Sequence, residues 1–293
     1  MSFAEQVRLE LSTIAIKKPC CRRALVAGLL LGAERESGKE LSLRLGSAAM
    51  AEASSEWIRG QFGKTPSVTV TGACGHRYWD LSFLSPAAAK LAQSLQESVA
   101  EDVLRLSCEQ CGGSFLRGVF LGYGTVNDPH KSFHLEFLMP QGRGAALLER
   151  FLEGMGYPPR AITRKKGTGL YYKDGGVVEE LVTLMGAHHN VFEIINSRIE
   201  RDIRNNENRA TNCVAKNIEK SISAATRQMD AINRLMETGK LEQLPEGLRN
   251  TALLRYRNPD ATLDELTALH QPSISKSGLN HRLQRILDEA EDL

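Results

Sequence analysis

Laid on itself with a shift of 90 residues, the first two hundred residues of this 293-residue chain repeat. Cys21 falls on Cys111, Gly28 on Gly118, Gly32 on Gly122, Ser42 on Ser132, Leu43 on Phe133 and Leu45 on Leu135. Each copy opens on an apolar segment with two glycines four apart, VAGLLLG at 26–32 and LRGVFLG at 116–122, which is about one helical turn. Glycine inside a helix costs up to about 1 kcal/mol relative to alanine. Two of them on one face therefore mark a place where another backbone comes close, and the natural partner is the equivalent helix of the other copy.

The copies continue alike. Each helix is followed by an alternating segment (40–46; 131–139), an amphipathic helix (49–62; 143–155), a strand (67–71; 160–166), a further strand (78–83; 170–173) and a closing helix (87–101; 177–185). This predicts an α+β fold in which two α-β-α-β-β units form a pseudo-twofold domain over 1–195, with repeats of about 1–105 and 106–195 and sheets on either side of the helix pair.

The stretches VAGLLLGAE (26–34) and LRGVFLGYG (116–124) resemble degenerate copies of the LAGLIDADG motif of homing endonucleases. In that family the eighth motif position is acidic, and the two carboxylates hold divalent metal for phosphodiester cleavage. Here those positions are Ala33 and Tyr123, and the neighbouring Glu34 is answered by Gly124. Neither a methyl group nor a phenol holds a hard cation at neutral pH, so a scaffold without catalytic residues, nuclease activity or cofactor is expected. The resemblance also implies a saddle of two sheets on which duplex DNA could lie. Arg160, Arg164, Lys165, Lys166 and Lys173 make a basic hairpin around a turn at 167–169, whereas the counterpart near 67–78 offers only Arg77. Arg164, Lys165 and Lys166 are thus candidates for secondary phosphate contacts, the alternative being a solvated sheet edge protected by charge.

Six cysteines are scattered through the chain. Cys108-Glu-Gln-Cys111 is half of a zinc site, but Cys20 and Cys21 are adjacent and Cys74 with His76 stands alone, so a second half with zinc spacing is missing and no metal site is expected. His188 and His189 have no cysteine or carboxylate pair beside them and suit a polar helix end. The N-terminus lacks the apolar core of a secretory signal, and the longest apolar run, 24–31, is far below the ~20 residues of a membrane span. A cytoplasmic protein is expected.

With 37 Lys and Arg against 35 Asp and Glu, the net charge of +2 leaves no general basic coat, and any nucleic-acid site must be local. The C-terminal third supplies one. A polar, asparagine-rich run at 196–216 suits a connector with helix caps, and a separate domain is expected over 217–293. There, helical spacing at 217–238 and 246–256 is followed by Thr262, placed to cap a short helix with Glu265 completing a capping box, and by a turn over 270–273. Ser273 or Ser275 caps a last helix reaching residue 287, whose Leu279, Leu283 and Ile286 form a buried stripe. Opposite lie Lys276, Asn280 and Gln284 in one row and Ser277, His281 and Arg285 in the next, donors suited to base edges and phosphates. Six basic residues against three acids over 248–286 give a local excess of +3. The pattern is a helix-turn-helix, with Ser275, Lys276, Ser277, Asn280, His281, Arg282 and Arg285 as DNA-contact candidates.

The CCRR start at 20–23, FLRG-x-FL-x-x-G-x-V-N-D-P at 115–129, RN-x-x-NR-x-x-NC at 204–213 and SKSG-x-NHRL at 275–283 together resemble the WhiA family along essentially the whole chain. Its terminal domain is itself similar to region 4 of bacterial sigma factors. The resemblance implies a duplicated LAGLIDADG-like domain followed by an all-α helix-turn-helix domain. It also implies a sequence-specific regulator of transcription that acts on double-stranded DNA at the nucleoid, in cell division, chromosome segregation or sporulation. Its protein partner would be a sigma factor of RNA polymerase or another transcription regulator, with no membrane involved.

Overall fold

The computed structural model describes residues 1–35, 40–72, 77–97, 106–141 and 144–291, which leaves Cys74, His76 and the end of the first closing helix outside it. Two compact units divide the chain, Met1–Arg201 and Asp202–Leu293.

In the first unit the glycine segments fall in the second halves of two helices, α2 (Pro19–Leu30) and α5 (Gln110–Tyr123), with Gly32 just past the end of α2. They run parallel, since Cys21 meets Cys108 near one end, Gly28 meets Gly118 in the middle, and Gly32 meets Tyr123 at the other. A Cβ on Gly28 would strike the carbonyl oxygen of Phe115, and one on Gly118 that of Leu25. The second glycines differ: a Cβ on Gly32 would meet the Tyr123 ring at 2.7 Å, whereas Gly122 has only the Leu29 carbonyl oxygen near, at 4.0 Å. Close approach thus requires one glycine from each helix rather than two.

Around this pair each copy folds alike. The first has β1 (Glu34–Arg35), β2 (Glu40–Leu45), α3 (Ala48–Phe62), β3 (Ser67–Thr71), β4 (Tyr78–Leu84) and α4 (Pro86–Glu97). The second has β5 (Gly124–Val126), β6 (Leu135–Pro140), α6 (Ala145–Gly154), β7 (Arg160–Arg164), β8 (Gly167–Tyr172) and α7 (Gly175–Met185). The antiparallel sheets share one order, β1-β2-β4-β3 and β5-β6-β8-β7. Period-two alternation turns Leu41, Leu43 and Leu45 inward and Ser42 and Arg44 outward on β2. The inward faces of both sheets join α2 and α5 in one core, with Leu25, Leu29, Phe115, Phe120 and Phe137 fully buried.

Sequence periodicity misses α1 (Phe3–Thr13), which Ser2 starts by accepting from the Glu5 amide while Glu5 accepts from the Ser2 amide. The two short strands that follow the glycine helices, β1 and β5, are missed as well. The second hairpin turns at Lys165 and Lys166, not at the expected 167–169, because Gly167 already pairs with Pro140.

The asparagine-rich run departs from expectation too. It contains no cap or turn: 188–237 form one helix, α8 (His188–Glu237), with Asn205, Asn206, Asn208, Asn212 and Asn217 exposed on it. Asparagine's modest helix penalty, roughly half a kcal/mol each, is outweighed where arginine, glutamate, alanine and lysine alternate with it. His188 and His189 open this helix, and the Glu10 carboxylate accepts from the amides of His189 (2.7 Å) and Asn190 (3.0 Å).

In the second unit, the C-terminal part of α8 packs with a 3-10 turn (Lys240–Gln243), α9 (Glu246–Arg257), α10 (Leu263–Leu269) and α11 (Lys276–Glu291) around Ile232, Leu235, Leu248, Leu266, Leu279, Leu283 and Ile286. Among the described residues no helix is long and apolar enough to cross a membrane.

Replacing Gly118 by alanine forces α2 and α5 apart and lowers the stability of the chain by about 1–3 kcal/mol or more, the range for overpacking. Gly46→Ala, where nothing lies within 4 Å of the added Cβ, stays within about 0.5 kcal/mol. Urea unfolding of the two variants checks this, and equal losses would contradict it.

Candidate nucleic-acid interface

Thr262 starts α10 through the expected capping box: its hydroxyl accepts from the Glu265 amide at 3.3 Å, and Glu265 accepts from the Thr262 amide at 2.7 Å. Of the two serines offered as caps for the last helix, Ser275 fills the place, accepting from the Gly278 amide at 3.1 Å. The buried stripe of Leu279, Leu283 and Ile286 then fixes the rotation of α11, and the i, i+3 and i+4 rows opposite face outward.

All seven predicted contact residues lie along α11 or at its cap, but not in equal states. Ser277, Asn280, His281 and Arg285 are exposed, and, among the described residues, their side chains make no hydrogen bond or ion pair within the chain. Lys276 is exposed and pairs with Asp264 at 2.7 Å, an exposed contact that weighs little. Ser275 is occupied as the cap. Arg282 is half-buried and turned inward, donating through Nη1 to the Gly247 carbonyl (3.3 Å) and to Nε2 of His270 (3.3 Å). His270, buried between Thr251 and the Pro272 carbonyl, accepts that bond when its own proton sits on Nδ1. Arg282 therefore ties α11 to α9 and to the turn.

The local excess of positive charge is similarly divided. Arg255 is buried, donating to the Ala261 carbonyl at 2.6 Å, with burial pulling its pKa below the ordinary arginine value. Arg249 pairs with Glu242. A groove of about 560 Å³ runs between the start of α9 and α11, lined by Gly247, Ser277, His281, Arg282 and Arg285. The start of α9 beside Arg285 in this groove suits a phosphate.

In the first unit, the ends of α2 and α5 open into a cleft of about 760 Å³ between the outward faces of the two sheets. Where paired carboxylates would be needed, Ala33 is buried and the Tyr123 hydroxyl donates to the Leu29 carbonyl at 2.8 Å. These side chains do not fit a pair of hard cations. On the sheet faces, charge is cancelled locally. Arg44 pairs with Asp80 at 2.7 Å, while Thr71 donates to the same carboxylate. Arg164 reaches Glu136 through both Nε (3.0 Å) and Nη2 (3.1 Å), a contact made possible because a Cβ on the intervening Gly169 would overlap the Glu136 carboxylate. Burial pushes Glu136 up, but Arg164 and His134 outweigh it and hold the carboxyl below its usual range. Of the three hairpin candidates Arg164 is thus engaged, while Lys165 and Lys166 stand exposed at the turn.

The expectation that the cysteines lack a second zinc half is overturned. The 90-residue repeat brings the start of α2 beside the start of α5, so that Cys20 and Cys21, unsuited to a motif of their own, face Cys108 and Cys111. The four sulfurs lie within 4.8 Å of one another. Hydrogen bonds from the Cys111 thiol and then from its other neighbours bring Cys108 down to about 7, while burial pushes Cys21 up to about 12.

Two family models match the chain, the "WhiA LAGLIDADG-like domain" over residues 112–204 and the "WhiA C-terminal HTH domain" over residues 208–290. A "probable cell division protein WhiA" from Caldicellulosiruptor saccharolyticus is 31% identical over 314 residues, covering 100% of this chain and 96% of that protein. Its namesake from Clostridium novyi is 39% identical over 200 residues, 68% of this chain and 62% of that one. Among solved structures, full-length DUF199/WhiA from Thermatoga maritima shares the fold, with a TM-score of 0.59 at 24% identity over 100% of this chain and 99% of that one. The α+β class, the LAGLIDADG-like first domain and the helical HTH region agree with that fold.

Arg282→Ala removes its hydrogen bonds to the Gly247 carbonyl and to His270, which keep their contacts with Thr251, and lowers stability by about 1–3 kcal/mol, whereas Asn280→Ala, on the open face, changes it by less than about 0.5 kcal/mol. Thermal unfolding of the two variants decides between a tie and a free contact residue; a neutral Arg282→Ala would sink the tie.

Proposed function

The chain belongs to the WhiA family, and on that premise we propose that it is a sequence-specific regulator of transcription that binds double-stranded DNA through α11. The observation that carries this reading is the outer face of that helix. Ser277, Asn280, His281 and Arg285 stand exposed in adjacent rows while the leucine and isoleucine stripe behind them fixes their direction. Asparagine can bond adenine bidentately and arginine guanine, each worth about 1–3 kcal/mol of discrimination in a major groove. Ser275 and Lys276 at the helix start, with Arg285 beside the first turn of α9, suit the flanking phosphates.

The first unit serves as scaffold, not as nuclease, because its motif positions carry Ala33 and Tyr123. The proposed secondary contact there narrows to Lys165 and Lys166, since Arg164 is committed to Glu136. The relatives are named as probable cell division proteins, and control of genes for division, chromosome segregation or sporulation is the role proposed here. It would be exercised in the cytoplasm at the nucleoid, with a sigma factor or another regulator as protein partner.

Selection of binding sites from random duplexes tests the assignment. Asn280→Ala and Arg285→Ala each weaken binding to the selected site by about ten- to a hundredfold, the equivalent of one base contact, and leave nonspecific binding much less affected. Lys165→Gln with Lys166→Gln preserves the sequence preference and reduces the salt slope by no more than about two, one contact per lysine. Undiminished specific binding by both α11 variants would refute the reading.

A further inference from the structure

We propose that Cys20, Cys21, Cys108 and Cys111 form a mononuclear, tetrahedral Zn²⁺ site that clips together the first turns of α2 and α5. The argument starts from the sulfur positions. Cys108 lies 3.7 Å from Cys20, 3.6 Å from Cys21 and 3.5 Å from Cys111, and all four sulfurs fall within 4.8 Å of one another. A tetrahedron with Zn–S bonds of about 2.3 Å has sulfur-to-sulfur edges of about 3.8 Å. The thiols thus already stand close to the corners that one ion would set, with room for one metal centre only.

The donor set decides which ion. Four thiolates are soft ligands, suited to zinc and unsuited to magnesium or calcium, and four protein ligands leave no open position for chemistry. The site is structural. Its surroundings fit the charge of a tetrathiolate: the Gln110 amide donates to Cys108, Arg117 is close enough to Cys21 to interact with it, and the positive starts of both helices converge on the sulfurs. Cys21 and Cys111 are buried, whereas Cys20 and Cys108 are half-exposed and give the ion a way in.

The position matters for the fold. In the LAGLIDADG arrangement the lost acids would sit at the far ends of the two helices, where Ala33 and Tyr123 now lie. The thiols occupy the opposite ends, and each copy of the repeat supplies two. A metal there closes the long segment between Cys21 and Cys108 and holds the two copies at their common axis.

Metal analysis of the full chain, purified under reductant without chelator, should give about one zinc per chain. Cys213→Ser, which alters the one exposed cysteine among the described residues, should retain it, and Cys108→Ala with Cys111→Ala should drop it below about a tenth. Should the double variant fail to fold, the wild-type chain decides. After metal is stripped under reductant, Co²⁺ titration should saturate at one equivalent, with thiolate-to-cobalt charge-transfer absorption and the intense visible bands of a tetrahedral ion, and zinc should displace it. Chelation should also lower the Tm of the wild-type chain. Bound iron in place of zinc, disulfides among the four cysteines in the freshly purified chain, or free thiols with no saturable cobalt spectrum would each overturn the proposal.

Discussion

The contact on which the first unit depends is backbone against backbone. Gly28 and Gly118 let α2 and α5 approach until each glycine faces a carbonyl oxygen of the other helix, so the two copies of the repeat share one core rather than two. That shared core is where both apolar helices are buried, with Leu25, Leu29, Phe115 and Phe120 fully removed from solvent. The pairing also brings together what the sequence holds far apart. Two thiols from each copy meet at one end of the pair, and Ala33 and Tyr123 occupy the other.

The same scaffold also ties down part of the charge on its sheets. On each sheet face one arginine is matched by an acid, Arg44 by Asp80 and Arg164 by Glu136, while Arg160, Lys165 and Lys166 of the second hairpin stay exposed. In the second unit the division of labour among the basic residues is different. Arg255 and Arg282 are spent on holding loops and helices in place, and that expenditure sets the angle at which Asn280, His281 and Arg285 are presented. Counting charge alone would have credited all of them with the same role.

Much of this was legible in the sequence. The repeat, the close approach at Gly28 and Gly118, the alternation on β2 and the capping box at Thr262 follow from local periodicity and cap chemistry, and they appear where expected, although the second glycine of each pair does not take part in that backbone contact. What escaped depended on distance in the chain or on competition between local preferences. Adjacent cysteines carry no metal spacing of their own, and only the fold turns Cys20 and Cys21 into the other half of the Cys108 and Cys111 pair. The asparagines of 196–216 each favour a turn, yet the helix formers between them prevail over the whole of α8. Arg164 reads as a free cation until Gly169 is seen to let Glu136 across, and Arg282 reads as a contact until His270 and the Gly247 carbonyl claim it.

The central claim is that α11, rather than the sheet saddle, meets the bases. Site-specific photocrosslinking tests it most directly, with benzoylphenylalanine in place of His281 or of Lys165 in the full chain bound to a duplex carrying its selected site. Crosslinks from position 281 to a discrete base within the site, with at most diffuse crosslinks from position 165, are the predicted result. Discrete base crosslinks from position 165 and none from 281 would contradict the account.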